Sequence, residues 1–140
     1  MKKKASAVWK GDLKTGKGQI STESGALKDA PYGFKTRFEN QPGTNPEELL
    51  GAAHAGCFSM ALSNILGEAG LTADSIQTEA VVTLDQADGG FAITAVHLTV
   101  VAEIPGADAA AFEAAANKAK AGCPVSKVLN ATITMDAKLA

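Results

Sequence analysis

Five side chains in this sequence have the chemistry to do more than pack: Cys57, Cys123, Arg37, Glu47 and His54. The two cysteines lie 66 residues apart. That is no CxxC motif, and two cysteines alone cannot complete a structural zinc site. They are either two unrelated buried thiols, the commonest state of free cysteine, or a nucleophile and its partner. The local context of Cys123 is suggestive. Gly122 stops one helix and Pro124 favours the first position of the next, so Cys123 falls at a cap where backbone N–H groups favour a thiolate. Cys57, mid-helix, has no such help and needs a side-chain cation. The chain has 13 basic residues, of which Arg37 is the one arginine. Its planar fork makes it a candidate, though a solvated strand face serves an arginine equally well. His54, three residues before Cys57, shares a helix face with it and is either a general base or a packing residue. His97 has no evident partner.

The elements that must position these residues follow from the punctuation. Asn45, Pro46 and Glu48 form a helix start in which Asn45 caps, Pro46 takes the first position and Glu48 reaches back. Glu47 is left free for another task. The helix is expected to run to about Glu68 and stop at Gly70. Gly51 and Gly56, with the alanines, predict a smooth face that another helix can approach closely. Leu49 to Leu66 is free of Asp, Glu, Lys and Arg, a length at which a membrane span becomes a candidate. Its polar and small residues instead predict a helix enclosed by protein on nearly all sides.

Before that helix the chain reads as strands and turns: Ala5 to Trp9, Gln19 to Thr22, and Lys35 to Glu39 with Arg37 on one face. Gly16-Lys17-Gly18 and Pro31-Tyr32-Gly33 read as punctuation. After it come strands at Ile76–Leu84 and Phe91–Ile104, joined at Asp88-Gly89-Gly90. Helices follow from Ala109 to Ala121, capped by Asp108, and from Pro124 to Leu129, then a strand at Ala131–Lys138. The order is α+β.

Composition narrows the class. A chain of 140 residues, 46% hydrophobic and 20% charged with net charge -2, is a globular chain of one domain, 1–140. The near-neutral balance argues against nucleic acid as a partner. Two cysteines are too few for a disulfide scaffold. Aromatics make up 5%, so the core must rest on Ala, Val, Leu and Ile. Met1-Lys2-Lys3-Lys4 imitates a signal n-region, but the residues after it supply no apolar run. No targeting segment and no membrane association are expected, and the location expected is cytoplasmic.

Two segments carry a resemblance. Gly43-Thr44-Asn45-Pro46-Glu47-Glu48-Leu49-Leu50-Gly51-Ala52-Ala53-His54-Ala55-Gly56-Cys57-Phe58 resembles the first cysteine signature of the OsmC/Ohr family, the osmotically inducible and organic hydroperoxide resistance proteins. Ala119-Lys120-Ala121-Gly122-Cys123-Pro124-Val125-Ser126 resembles the second. The likeness runs through most of the chain, including Ser21-Thr22-Glu23-Ser24-Gly25 and Pro31-Tyr32-Gly33-Phe34. The position of Arg37 after that last segment is similar to the OsmC branch. Gly56 before Cys57 is a mild departure, since Ala is familiar there.

The resemblance implies an α+β, OsmC-like intertwined homodimer, with antiparallel sheets around a long central helix pair. It implies a thiol-dependent peroxidase for organic hydroperoxides, and more weakly hydrogen peroxide. Cys57 would be peroxidatic, Cys123 resolving, Arg37 the activating cation and Glu47 the carboxylate that holds Arg37. No bound cofactor or metal is implied; an external dithiol of lipoyl type, carried by a lipoylated protein, would be the reductant.

Magnitudes constrain this reading. A free thiol is roughly 3% ionised at pH 7. Full ionisation therefore gains at most about 30-fold, roughly 2 kcal/mol, while a lower pKa blunts nucleophilicity. Arg37 must then also donate to the peroxide oxygen as O–O breaks. Glu47 and Cys57 are about 15 Å apart along one helix and not on one face; either Arg37 bridges part of that span within one chain or, the preferred reading, Arg37 and Glu47 of one subunit serve Cys57 of the other. Phe58 and Met60 read as core more readily than as site, but a pocket lined by Phe58, Met60, Leu and Ala would suit alkyl hydroperoxides. A redox sensor using the same cysteines, or a non-enzymatic binder of small apolar ligands, are the alternatives.

Overall fold

The computed structural model describes residues 1–140, which form two compact units, Met1–Leu49 and Leu50–Ala140. The first holds an antiparallel sheet in the order β1 (Ala5–Lys10), β2 (Lys17–Thr22), β3 (Ala30–Tyr32). Trp9, Gly18 and Tyr32 stand in register across it. The Trp9 and Tyr32 rings lie 5.6 Å apart between centroids, and a Cβ at Gly18 would collide with both. Pro31-Tyr32, expected as a turn, thus completes the sheet as its short third strand.

The expected strand at Lys35–Glu39 is instead a helix, α1 (Phe34–Phe38). Local hydrogen bonding decides this. The Thr36 hydroxyl accepts from Gly33 N–H at 2.9 Å and donates to the Gly33 carbonyl at 3.0 Å, and Arg37 N–H donates to that carbonyl at 3.2 Å. Phe34 and Phe38 then meet one turn apart, with centroids at 4.9 Å. The alternating pattern of Lys35, Arg37 and Glu39 was equally compatible with an exposed helix.

Helix α2 (Pro46–Glu68) begins in the first unit and lies mostly in the second. Asn45 caps it as expected, its side chain accepting from Glu48 N–H at 2.8 Å. Glu48 binds the Thr44 hydroxyl at 3.0 Å rather than reaching back to Asn45. The helix ends in a Schellman motif. Leu71 N–H bonds the Leu66 carbonyl and Gly70 N–H the Gly67 carbonyl, with Gly70 at φ +75°.

Only one stripe of α2 is enclosed: Glu47, Gly51, His54, Phe58, Leu62 and Leu66 are buried. Ala52, Ala53, Gly56, Met60, Ser63 and Gly67 are exposed. The expectation of a helix covered on nearly all sides fails for the single chain. Gly51 and Gly56 also part company. A Cβ on Gly51 would press to 3.2 Å from the Ala80 carbonyl, whereas Gly56 faces open space. By length and composition α2 could cross a membrane, but Phe58, Leu62 and Leu66 belong to the hydrophobic core.

In the second unit, β4 (Ser75–Ala87) and β5 (Gly90–Glu103) form a long hairpin. Its two-residue loop, Asp88-Gly89, has positive φ at both positions, as a type I′ turn demands. β6 (Thr132–Leu139) pairs with β5 in parallel, so the sheet β4-β5-β6 is mixed where antiparallel sheets were expected. The chain reaches β6 through α3 (Ala109–Gly122) and α4 (Pro124–Val128), and such a crossover is what a parallel neighbour requires. Val96, Leu98, Val100 and Ala102 alternate on the inner face of β5 and pack with α2 and with Phe112, Ala116 and Ala119 of α3.

Candidate active site

Cys57 and Cys123 come together in the second unit, with their sulfurs 3.0 Å apart. A disulfide needs about 2.05 Å, so this is a reduced pair about 1 Å short of bonding distance. α2 carries Cys57. Cys123 closes α3 and caps α4, with extended backbone at φ -59°, ψ 133°. Its sulfur accepts from Ser126 N–H at 3.5 Å and from the Ser126 hydroxyl at 3.6 Å. Cys123 is buried, while Cys57 is partly exposed.

Opposite forces act on the two thiols. Burial pushes the Cys57 thiol up, hydrogen bonding with Cys123 adds to this, and Val125 N–H only partly offsets it. Burial also opposes the Cys123 anion. There, however, hydrogen bonding with Cys57 and donation from the Ser126 backbone and hydroxyl prevail, and the thiol is held below its ordinary value. No cation contributes to the balance at Cys57. Within this unit the donors favour an anion at Cys123, the thiol placed at a cap, over one at Cys57, where no cation is among the acting groups.

His54 is fully buried, and its Nε2 lies 2.7 Å from Ser126 Oγ. Burial lowers its pKa, so the ring is neutral. Ser126 was quoted in the second cysteine segment without a role. Its position three residues after a capping side chain, where a backbone N–H reaches back to the cap, was the available signal.

Arg37 and Glu47 pair in the first unit. Arg37 Nε donates to both carboxylate oxygens of Glu47, at 3.1 and 3.2 Å, and a terminal guanidinium nitrogen donates to Oε1 at 2.7 Å. Glu47 is free for this because Glu48 is held by Thr44. Beside the guanidinium lies a cleft of about 160 Å³ lined by Trp9, Leu13, Tyr32, Phe34, Phe38 and Pro46. Of the two residues weighed as core or pocket, Phe58 is fully buried in the core, and Met60 is 77% exposed on the open face of α2.

A model of the OsmC-like protein family matches residues 38–138. The chain belongs to the OsmC family. It is 61% identical to Peroxiredoxin OsmC of Escherichia coli over 137 residues, covering 98% of this chain and 96% of that one. It is 31% identical to the organic hydroperoxide resistance protein OhrB of Bacillus subtilis, over 87% of this chain and 88% of the relative. The crystal structure of Bacillus subtilis OhrB superposes with a TM-score of 0.72 at 28% identity, covering 96% of this chain and 98% of that one. The higher identity to an OsmC than to an Ohr agrees with the branch expected from Arg37 following Pro31-Tyr32-Gly33-Phe34.

Proposed function

We propose that this OsmC-family chain reduces organic hydroperoxides, and hydrogen peroxide more weakly, through a sulfenic acid on Cys57 and a Cys57–Cys123 disulfide. Membership of the family, with a peroxiredoxin at 61% identity, makes it a peroxidase-type, peroxide-reducing enzyme. The observation that carries the residue-level reading is the 3.0 Å separation of two sulfurs that lie 66 residues apart in sequence.

In this mechanism the Cys57 thiolate attacks one peroxide oxygen. The O–O bond breaks, an alcohol leaves, and Cys57 becomes a sulfenic acid. Cys123 displaces the sulfenic hydroxyl as water. An external dithiol of lipoyl type, carried by a lipoylated protein, then reduces the disulfide by exchange.

Arg37 supplies the missing cation. It stabilises the Cys57 anion and donates to the departing oxygen, with Glu47 fixing its fork. The reading gives this task to the Arg37–Glu47 pair of a second copy in a homodimer of OsmC-like domains, 1–140. Two features support it: the balance of forces at Cys57 includes no cation, and the face of α2 bearing Ala52, Ala53, Gly56 and Met60 is uncovered. The aromatic cleft beside Arg37 supports an organic substrate, because burying an alkyl tail adds about 0.8 kcal/mol per CH2. The reading includes no nucleic acid or membrane partner, and a cytoplasmic location.

The test is turnover of cumene hydroperoxide and hydrogen peroxide with a dihydrolipoyl system, comparing wild type, Cys57→Ser and Arg37→Ala. Turnover lost in both variants, with the organic peroxide preferred in wild type, is the expected result. A single stoichiometric oxidation without turnover marks a redox sensor instead. No peroxide consumption at all marks an apolar-ligand binder.

A further inference from the structure

We propose that His54 and Ser126 form a buried hydrogen-bond relay that presents the Cys123 sulfur for disulfide formation, with Ser126 as its catalytic hydroxyl and His54 as its positioning residue. The proposal rests on the reading that Cys123 is the resolving cysteine. His54 sits one turn from Cys57 and is fully buried, yet the peroxide-reducing step gives it no task.

The proton positions follow from a single orphaned atom. His54 Nδ1 is buried and has no hydrogen-bond partner. A buried N–H without an acceptor is rarer and costlier than a buried lone pair without a donor. The neutral ring therefore carries its proton on Nε2. Ser126 Oγ, 2.7 Å away, must then accept from it. The serine's own proton is free to point at Cys123 Sγ, 3.6 Å away, where Ser126 N–H also donates at 3.5 Å. With the opposite tautomer the hydroxyl would be spent on His54, and Cys123 would lose a donor. His54 thus fixes the direction of the relay, from imidazole to hydroxyl to sulfur.

The step this serves balances without an outside reagent. When Cys57 is a sulfenic acid, the Cys123 sulfur attacks the Cys57 sulfur. The S–S bond forms as the S–OH bond breaks, and the Cys123 thiol proton leaves with the hydroxyl as water. Negative charge builds on Cys123 as its proton departs, and the two Ser126 donors stabilise it there. Peroxide has already gone when this happens, so the relay acts on the second step far more than on the first.

The experiment separates the two steps in a single turnover of the full-length protein. Peroxide consumption reports sulfenic acid formation; trapping with a dimedone probe, followed by mass spectrometry, reports how fast the sulfenic acid becomes disulfide. Ser126→Ala is expected to slow the second step about tenfold relative to the first. His54→Leu is expected to slow it severalfold in the wild-type background and to add nothing in the Ser126→Ala background, since His54 acts only through that hydroxyl. A purely structural histidine would lower the rate in both backgrounds, and that result overturns the relay. Cys123→Ser is the control. If it prolongs the sulfenic acid while Ser126→Ala does not, the relay falls and the resolving role stands. If it does not prolong it, the resolving role falls and the relay with it. Should Ser126→Ala fold poorly, Ser126→Gly makes the same deletion, and an unchanged ratio of steps in it is equally fatal.

Discussion

The sulfur pair and the ion pair are built in opposite ways. Cys57 and Cys123 are brought together by tertiary packing: α2 contributes one, the α3–α4 junction the other. Their surroundings are neutral, and burial resists charge on either sulfur. Arg37 and Glu47 come from one short stretch of chain that includes α1, a loop and the first turn of α2. Their side chains are 37% and 11% exposed, so water screens much of their attraction. One region holds two thiols among neutral groups, the other a cation held by a carboxylate. A thiol in the first state is a poor peroxidase, and an arginine in the second does no redox chemistry. In the proposed reading a second copy brings the two chemistries together.

The sharpest way to break this comparison is to delete the nucleophile. Cys57→Ser is expected to reduce lipoyl-coupled peroxide turnover at least about a thousandfold, since an alcohol does not replace a thiolate here. Thermal unfolding should barely move, because the replacement is near-isosteric. If Cys57→Ser keeps substantial activity, the sulfur pair is not the reactive half. Arg37→Lys comes next. It keeps the charge but loses the planar fork, and kcat/KM is expected to fall about a hundredfold, the scale of a lost transition-state donor. Alkylation of Cys57 by iodoacetamide should also slow in Arg37→Ala, by no more than about 30-fold at pH 7, the ceiling for ionisation alone. The alkylation is read at Cys57, because Cys123 is fully buried. An unchanged alkylation rate at Cys57 in Arg37→Ala would show that the guanidinium does not act on that sulfur.

The comparison also explains what could be read in advance. Features set by neighbouring residues were legible. Asn45 and Pro46 start α2, Gly70 ends it, Asp88-Gly89 turns the hairpin, and Gly122-Cys123-Pro124 places a cysteine at a cap. The helix at Phe34–Phe38 was missed because its deciding bonds run from Thr36 to the backbone of Gly33, and side-chain alternation does not register them. The parallel pairing of β6 was missed because it depends on a crossover over the sheet. Within the site, composition and spacing left the cysteines as either a pair or two bystanders, and the family resemblance tipped the balance. The link from His54 to Ser126 spans 72 residues, and nothing near either residue announces it. The open face of α2 was misjudged because a small-residue face looks the same whether its covering comes from the same chain or from elsewhere.

A smaller effect is expected on the ion-pair side. Glu47→Gln leaves Arg37 in place but removes the carboxylate that holds the Nε edge of its guanidinium. For a partly exposed pair the coupling is worth about 1 kcal/mol after solvent screening, so kcat/KM is expected to fall roughly fivefold. Arg37→Lys should remain the more damaging change. If Glu47→Gln proves worse, the carboxylate has a direct part in the chemistry and is more than a holder.

The smallest expected effect lies on the sulfur side and concerns stability. Burial depresses the pKa of His54 below its ordinary 6.5 in the folded protein. The unfolded chain therefore binds more protons there than the folded chain as pH falls below about 6.5, so unfolding is favoured by acid. The stabilisation from a neutral His54 is fully present above that value and is lost as pH drops toward the depressed one. The slope cannot exceed about 1.4 kcal/mol per pH unit for one proton. Urea unfolding between pH 7.5 and 5.5 should show stability declining over the lower half of that range. In His54→Leu, which has no proton to bind there, the decline should shrink by that one-proton share even though the variant's stability at neutral pH differs from wild type. If the slope is unchanged in His54→Leu, burial does not lower the pKa of His54 in the folded chain and another group carries the decline.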